Sequence, residues 1–123
     1  ESNIDLMNAV ALSKGSKYLI VLQPTLGLNI NDQSYQTYME DKDLKYFSNL
    51  KKNKPRYIEN LNNLYAELRK RCAVIDYCLD LSNNIELLTN VSLYADLRHP
   101  NFEGNGIISK EIMNYLESNK LIE

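Results

Sequence analysis

An α/β fold with a parallel sheet is predicted by three features of the sequence. Two short apolar runs occur, Tyr18–Leu22 and Ala73–Tyr77, helical periodicity precedes and follows each, and the resulting order is helix, strand, helix, strand. Short runs with β-branched residues and little polar alternation suit strands buried on both faces, as in parallel sheets. Parallel strands need a long crossover, and the intervening helical stretch supplies one.

The elements follow in order. Asn3 to Lys14 carries Ile4, Met7, Val10 and Ala11 at helical spacing, with Asn3 as a cap and Gly15 as a stop. Tyr18–Leu22 is the first strand, ending before Pro24, and residues 23–34 read as a polar, turn-rich loop. Residues 35–50 mix aromatic and charged side chains, which predicts a loop followed by an irregular helix. Pro55 suits a first helical turn, and Ile58, Leu61, Leu64, Tyr65 and Leu68 mark one face of a helix reaching Arg71. Ala73–Tyr77 is the second strand. Between Asp80 and Tyr94 only a short helical turn is expected, around Ile85 to Leu88. The last helix, Glu103 to Ser118, places Ile108, Ile112, Tyr115 and Leu116 on its inner stripe. Two such strands do not make an independent sheet, since typical sheets have about four to six. The sequence therefore reads as the C-terminal part of a larger α/β domain, with an apolar sheet edge left uncovered. Its first residues, Glu1-Ser2-Asn3-Ile4, carry neither an initiator Met nor a signal sequence, which fits continuation upstream and equally a start left by signal-peptide cleavage, so the fold decides between them.

Composition narrows the function classes. In 123 residues, 14 Lys and Arg stand against 16 Asp and Glu, with no strongly basic half, so neither nucleic acid nor an anionic membrane is the expected partner. The longest apolar run falls far short of the roughly 20 residues that span a bilayer. Asn occurs 16 times but is dispersed, and is read as compositional bias. Cys72 and Cys78 bracket the second strand; at full extension they stand roughly 20 Å apart, beyond disulfide reach. Two buried thiols are expected, and their spacing to the one histidine fits no common zinc motif. The basic clusters Lys51–Arg56 and Arg69–Arg71 read as solvated surface, the latter complementing a helix C-terminus. Tyr35, Tyr38, Tyr46 and Phe47 read as core, with a substrate lid as the alternative.

Chemistry concentrates at Asp96 and His99. A carboxylate three residues before an imidazole on one tight loop can accept from Nδ1–H, fix the tautomer and leave Nε2 free to take a proton from a hydroxyl. Taken by itself, this spacing is better explained by a turn at Asp96 that leads through His99-Pro100 into the last helix. The surrounding residues read Tyr94-Ala95-Asp96-Leu97-Arg98-His99-Pro100-Asn101-Phe102-Glu103-Gly104-Asn105-Gly106, followed by an apolar helix. Upstream, Lys17–Leu22 leads into Gln23-Pro24-Thr25.

These blocks closely resemble the C-terminal part of the SGNH (GDSL-type) hydrolases, strongly over residues 91–116 and loosely over the rest. The resemblance implies a three-layer α/β/α sandwich with a parallel, flavodoxin-like sheet, of which residues 1–123 form the C-terminal portion. It also implies a serine esterase or acyl hydrolase, with His99 as general base and then acid, Asp96 orienting it, and no metal or organic cofactor. The family's nucleophilic serine sits in a Gly-Asp-Ser segment near its N-terminus, and no Gly-Asp-Ser occurs here. Gly27-Leu28-Asn29 mimics the family's Gly-x-Asn oxyanion block, but it lies in the loop beyond Pro24 and lacks the following Asp. The expected partners are a small-molecule ester or acylated carbohydrate and the missing N-terminal part of the domain. An O-acetyltransferase of the same fold and a non-catalytic accessory module remain the alternatives.

Overall fold

The computed structural model describes residues 3–122. The reading of Glu1 and Ser2 as the start of the sequence lies outside the described residues. Helix α1 spans Asn3–Ser13, strand β1 Ile20–Leu22, α2 Gln33–Gln36, α3 Asp41–Asn53 and α4 Pro55–Cys72. Strand β2 follows at Cys78–Asp80, then α5 at Ile85–Thr89, a 3₁₀ turn at Val91–Leu93, and α6 at Phe102–Ser118. The two strands pair in parallel, Ile20 opposite Cys78 and Leu22 opposite Asp80, with Ile20 N–H on Tyr77 O and Leu81 N–H on Leu22 O extending the ladder. The chain is thus α/β, with the parallel pairing expected of it, and these two strands are the whole sheet among the described residues.

Local chemistry accounts for most boundaries. Gly15, at φ 70°, closes α1 as Ser16 N–H returns to Ala11 O. Helix α3 has Asp41 and Asp43 in its first turn and Lys51 and Lys52 in its last, matching the helix dipole at both ends. Helix α4 starts on Pro55, ends on Arg69, Lys70 and Arg71, and buries Ile58, Leu61, Tyr65 and Cys72. Leu64, expected on the same face, is 55% exposed because it falls at the margin of that stripe.

The second strand lies elsewhere than expected. Ala73 and Val74 do not extend; their N–H groups bond back to Arg69 and Arg71 carbonyls, Ile75 bonds to Cys72 O, and Cys78 bonds to Ile75 O. The run reads as a strand because it is apolar, yet Val74 is 82% exposed. This turn overrides the expectation of free thiols. It brings the Cys72 and Cys78 Cα atoms to 5.3 Å, and the two form a disulfide.

Residues 23–34 also differ from a solvated loop. Thr25, Leu26, Gly27 and Leu28 are buried together with Pro24, and Leu26, Phe47, Leu50, Ile58, Leu87, Leu93 and Ile108 belong to one core cluster. Val21 and Leu79 pack against that cluster, while Leu22 joins a second one of Leu28, Leu61, Tyr65 and Leu88, as alternation along a strand requires. Of the aromatic set, Phe47 is core and Tyr38 is 62% exposed. Helix α1 buries none of its residues, and Leu6, Met7, Val10 and Leu12 are each more than half exposed. No helix among the described residues is long and apolar enough to cross a membrane.

Candidate functional site

Asp96 and His99 sit on a loop whose base is stitched shut between the 3₁₀ turn and α6. Tyr94 and Pro100 form an isolated antiparallel bridge, Ala95 N–H donates to His99 O at 2.9 Å, and Asn101 N–H donates to Leu93 O at 2.9 Å. The Asp96 carboxylate organises the loop tip: Oδ1 accepts from Arg98 N–H at 2.8 Å and from His99 N–H at 3.0 Å. This is the Asx-turn use of a short carboxylate. His99 Nδ1 lies 2.8 Å from Asp96 Oδ2 and 3.0 Å from Oδ1. The Nδ1–H tautomer satisfies that contact by donating, which leaves Nε2 as the basic nitrogen without a hydrogen bond among the described residues.

The residues after His99 fix the loop to the last helix. Asn101 caps α6, its Oδ1 accepting from Glu103 and Gly104 N–H groups at 3.0 and 3.1 Å, while its Nδ2 donates to Ser92 O at 2.7 Å. Asn105 Nδ2 donates to Pro100 O at 3.0 Å. Gly104 is needed for close approach, since a Cβ there would run into the Leu93 carbonyl and come 2.9 Å from Pro100 Cβ. From the other side, Leu26 N–H donates to Leu97 O at 3.0 Å, docking the loop on the segment that leaves β1.

The electrostatics follow from these bonds. The Arg98 amide, the His99 ring and the His99 amide together hold the Asp96 carboxyl down to about 2. Both side chains are open to water, 59% exposed for Asp96 and 75% for His99, so the ion pair itself adds little stability. Beneath the loop, burial pushes the Tyr94 hydroxyl far above the ordinary phenol range. Burial also raises Tyr57, partly opposed by the nearby Arg98 guanidinium.

No described serine hydroxyl bonds to the imidazole. Ser82 is buried and accepts from Arg69 Nε at 2.6 Å, Ser34 donates to Asp32, and Ser92 donates to Asn90. Asn29, within the Gly27-Leu28-Asn29 segment, is engaged within the chain: Arg69 donates to its Oδ1, and its Nδ2 donates to Tyr35 Oη and Asn83 Oδ1. Its φ of 57° is a left-handed conformation that Asn tolerates better than most residues. This Asn29 network was missed in the sequence, where Asn was read as bias. Asn84, Asn90 and Asn101 each cap a helical turn, so the abundance has a local structural use. No group of three or more His, Cys, Asp or Glu among the described residues could hold a metal ion.

Comparison of the chain with protein-family models, with curated proteins and with solved structures finds no match.

Proposed function

We propose that the chain is the C-terminal part of an SGNH-type serine acyl hydrolase with a three-layer α/β/α sandwich, and that it supplies the base and its orienting acid. The observation that carries this reading is the Asp96–His99 pair, with Nδ1 held at 2.8 Å from a carboxylate and Nε2 without a hydrogen bond among the described residues. Two further features support it. The pair lies against the segment leaving the C-terminal end of a parallel strand, where open α/β sheets place ligands. The apolar outer flank of α1 offers a surface that the rest of such a domain would cover.

The chemistry is acyl transfer through a serine carried by the remainder of the domain. His99 Nε2 takes the proton as the serine oxygen attacks the ester carbonyl, then returns it to the departing alcohol. A water molecule repeats the sequence on the acyl-enzyme, and Asp96 stabilises the transient imidazolium without itself being protonated. The disulfide fits a domain that matures in an oxidising compartment. Stopped-flow mixing of the complete domain with p-nitrophenyl acetate tests the reading. A burst of p-nitrophenol equal to the enzyme concentration, followed by slower turnover, is the acyl-enzyme result expected. Binding of the ester with no release of p-nitrophenol would favour an accessory module.

A further inference from the structure

A cleft of about 450 Å³ opens between the loop after β1 and the N-terminal turns of α4, within the size range of small-ligand sites. Its two sides are pinned to each other. Asn29 N–H on the loop donates to Asn62 Oδ1 on the helix at 3.0 Å, and Asn62 Nδ2 donates to Ile58 O at 2.8 Å. The cleft is therefore preformed, which lowers the ordering cost of binding.

Its other polar side chains are not consumed in this way. Asn31, Lys51, Glu59 and Asn63 line the cleft and make no hydrogen bond or ion pair with the described residues. Asp32 uses only Oδ1, on Ser34, so Oδ2 stays available. Two amides that both donate and accept, two carboxylates that accept and one ammonium that donates match vicinal hydroxyls, which themselves do both. Two carboxylates against one lysine disfavour phosphates and other anions. Exposed Pro55 gives the same cleft an apolar patch for the C–H face of a sugar ring.

One short segment, residues 26–29, links the cleft to the Asp96–His99 loop. A Cβ at Gly27 would come 2.7 Å from Ile58 Cδ1, and neighbouring Leu26 donates its N–H to Leu97 O, two residues before His99. Gly27, at φ 93°, lets the backbone pass this close to α4. We infer that this cleft is the subsite for the carbohydrate part of an acylated neutral glycan, an inference that rests on the acyl-hydrolase reading.

The experiment has a binding arm and a kinetic arm. Titrating the ¹⁵N-labelled chain with xylotetraose should give saturable shifts at Asn31, Glu59 and Asn63. Asn63→Ala and Glu59→Ala should each weaken binding about tenfold, as expected for removing one hydrogen-bonding group. Neither side chain makes a hydrogen bond or ion pair with the described residues, so unchanged thermal melts should accompany the loss. In the complete domain, the same variants should lower kcat/KM on acetylated xylotetraose about tenfold and leave p-nitrophenyl acetate, which has no sugar, unaffected. Hydrolysis of both esters at wild-type rates in both variants, or tetraose shifts that map elsewhere or are absent, would overturn the subsite while the hydrolase reading stands. Tetraose binding at the cleft in a folded domain that hydrolyses neither ester would overturn that reading, and with it the subsite role.

Discussion

Between Cys72 and Cys78 the chain reverses from α4 into β2 across a covalent bond, whereas between Tyr94 and Pro100 it reverses toward α6 through hydrogen bonds alone. The first closure anchors an apolar surface: Val74 is 82% exposed, and Ile4, Leu68 and Ile75 line a cavity beside the disulfide. The second presents titratable groups to water, with Asp96 accepting from the His99 amide, Asn101 from the Gly104 amide, and Asn105 donating to the Pro100 carbonyl. A disulfide constrains the chain while specifying little about side chains nearby. A hydrogen-bonded loop needs particular short polar residues at particular offsets, and the same residues orient an imidazole.

The comparison is broken most severely at Gly104. Alanine there meets the Leu93 backbone carbonyl, which cannot step aside as a side chain can, so Gly104→Ala should cost toward about 3 kcal/mol in urea denaturation. It should also separate α6 from the Asp96–His99 loop, seen as lost protection of the Asn101 amide from exchange. An unchanged midpoint would show that α6 does not rest on Leu93. Next comes the covalent closure. Replacing Cys72 and Cys78 together by Ser should cost about 2 kcal/mol, the loop-entropy value for so short a ring, while leaving the Asp96 and His99 signals in place. Movement of those signals would show that the two closures are coupled.

Helix α1 sharpens the contrast from the opposite side. Because none of its residues is buried, Val10→Lys should change the stability of the 123-residue chain by less than about 0.5 kcal/mol. A larger loss would mean that α1 already packs on the rest of the chain. The smallest effect belongs to Asp96. Its folded value of about 2 lies below the unfolded value near ~3.9, so its contribution is fully present above that unfolded value and is lost as pH falls through about 2. A carbon-detected titration of the Asp96 carboxyl should have its midpoint near 2; a midpoint near 4 would mean that the Arg98 and His99 contacts are not made.

Legibility in the sequence follows the same division. The geometry between Asp96 and His99 was readable because a carboxylate three residues ahead of an imidazole closes locally, whereas the Asn101 cap of the following helix was not anticipated. The first strand and the helix from Pro55 were readable for similar reasons: a bounded apolar run and a proline at a first turn. The Ala73–Tyr77 segment was misread because apolar periodicity does not distinguish a buried strand from an exposed turn, and the thiols were then placed by that error. Residues 24–28 were misread because turn-forming residues can also cross a core when their backbone bonds go to distant partners, as Leu26 bonds to Leu97. Asn29 and Arg69 come together across 40 positions, a distance that no local pattern encodes.

The proton-transfer role of His99 is tested most directly by His99→Ala in the complete domain, assayed on p-nitrophenyl acetate alongside a thermal melt. The imidazole is exposed and, among the described residues, bonded only to Asp96, so the melt should be unchanged, while kcat/KM falls at least about a thousandfold. A folded His99→Ala domain that keeps its full esterase rate would contradict the account.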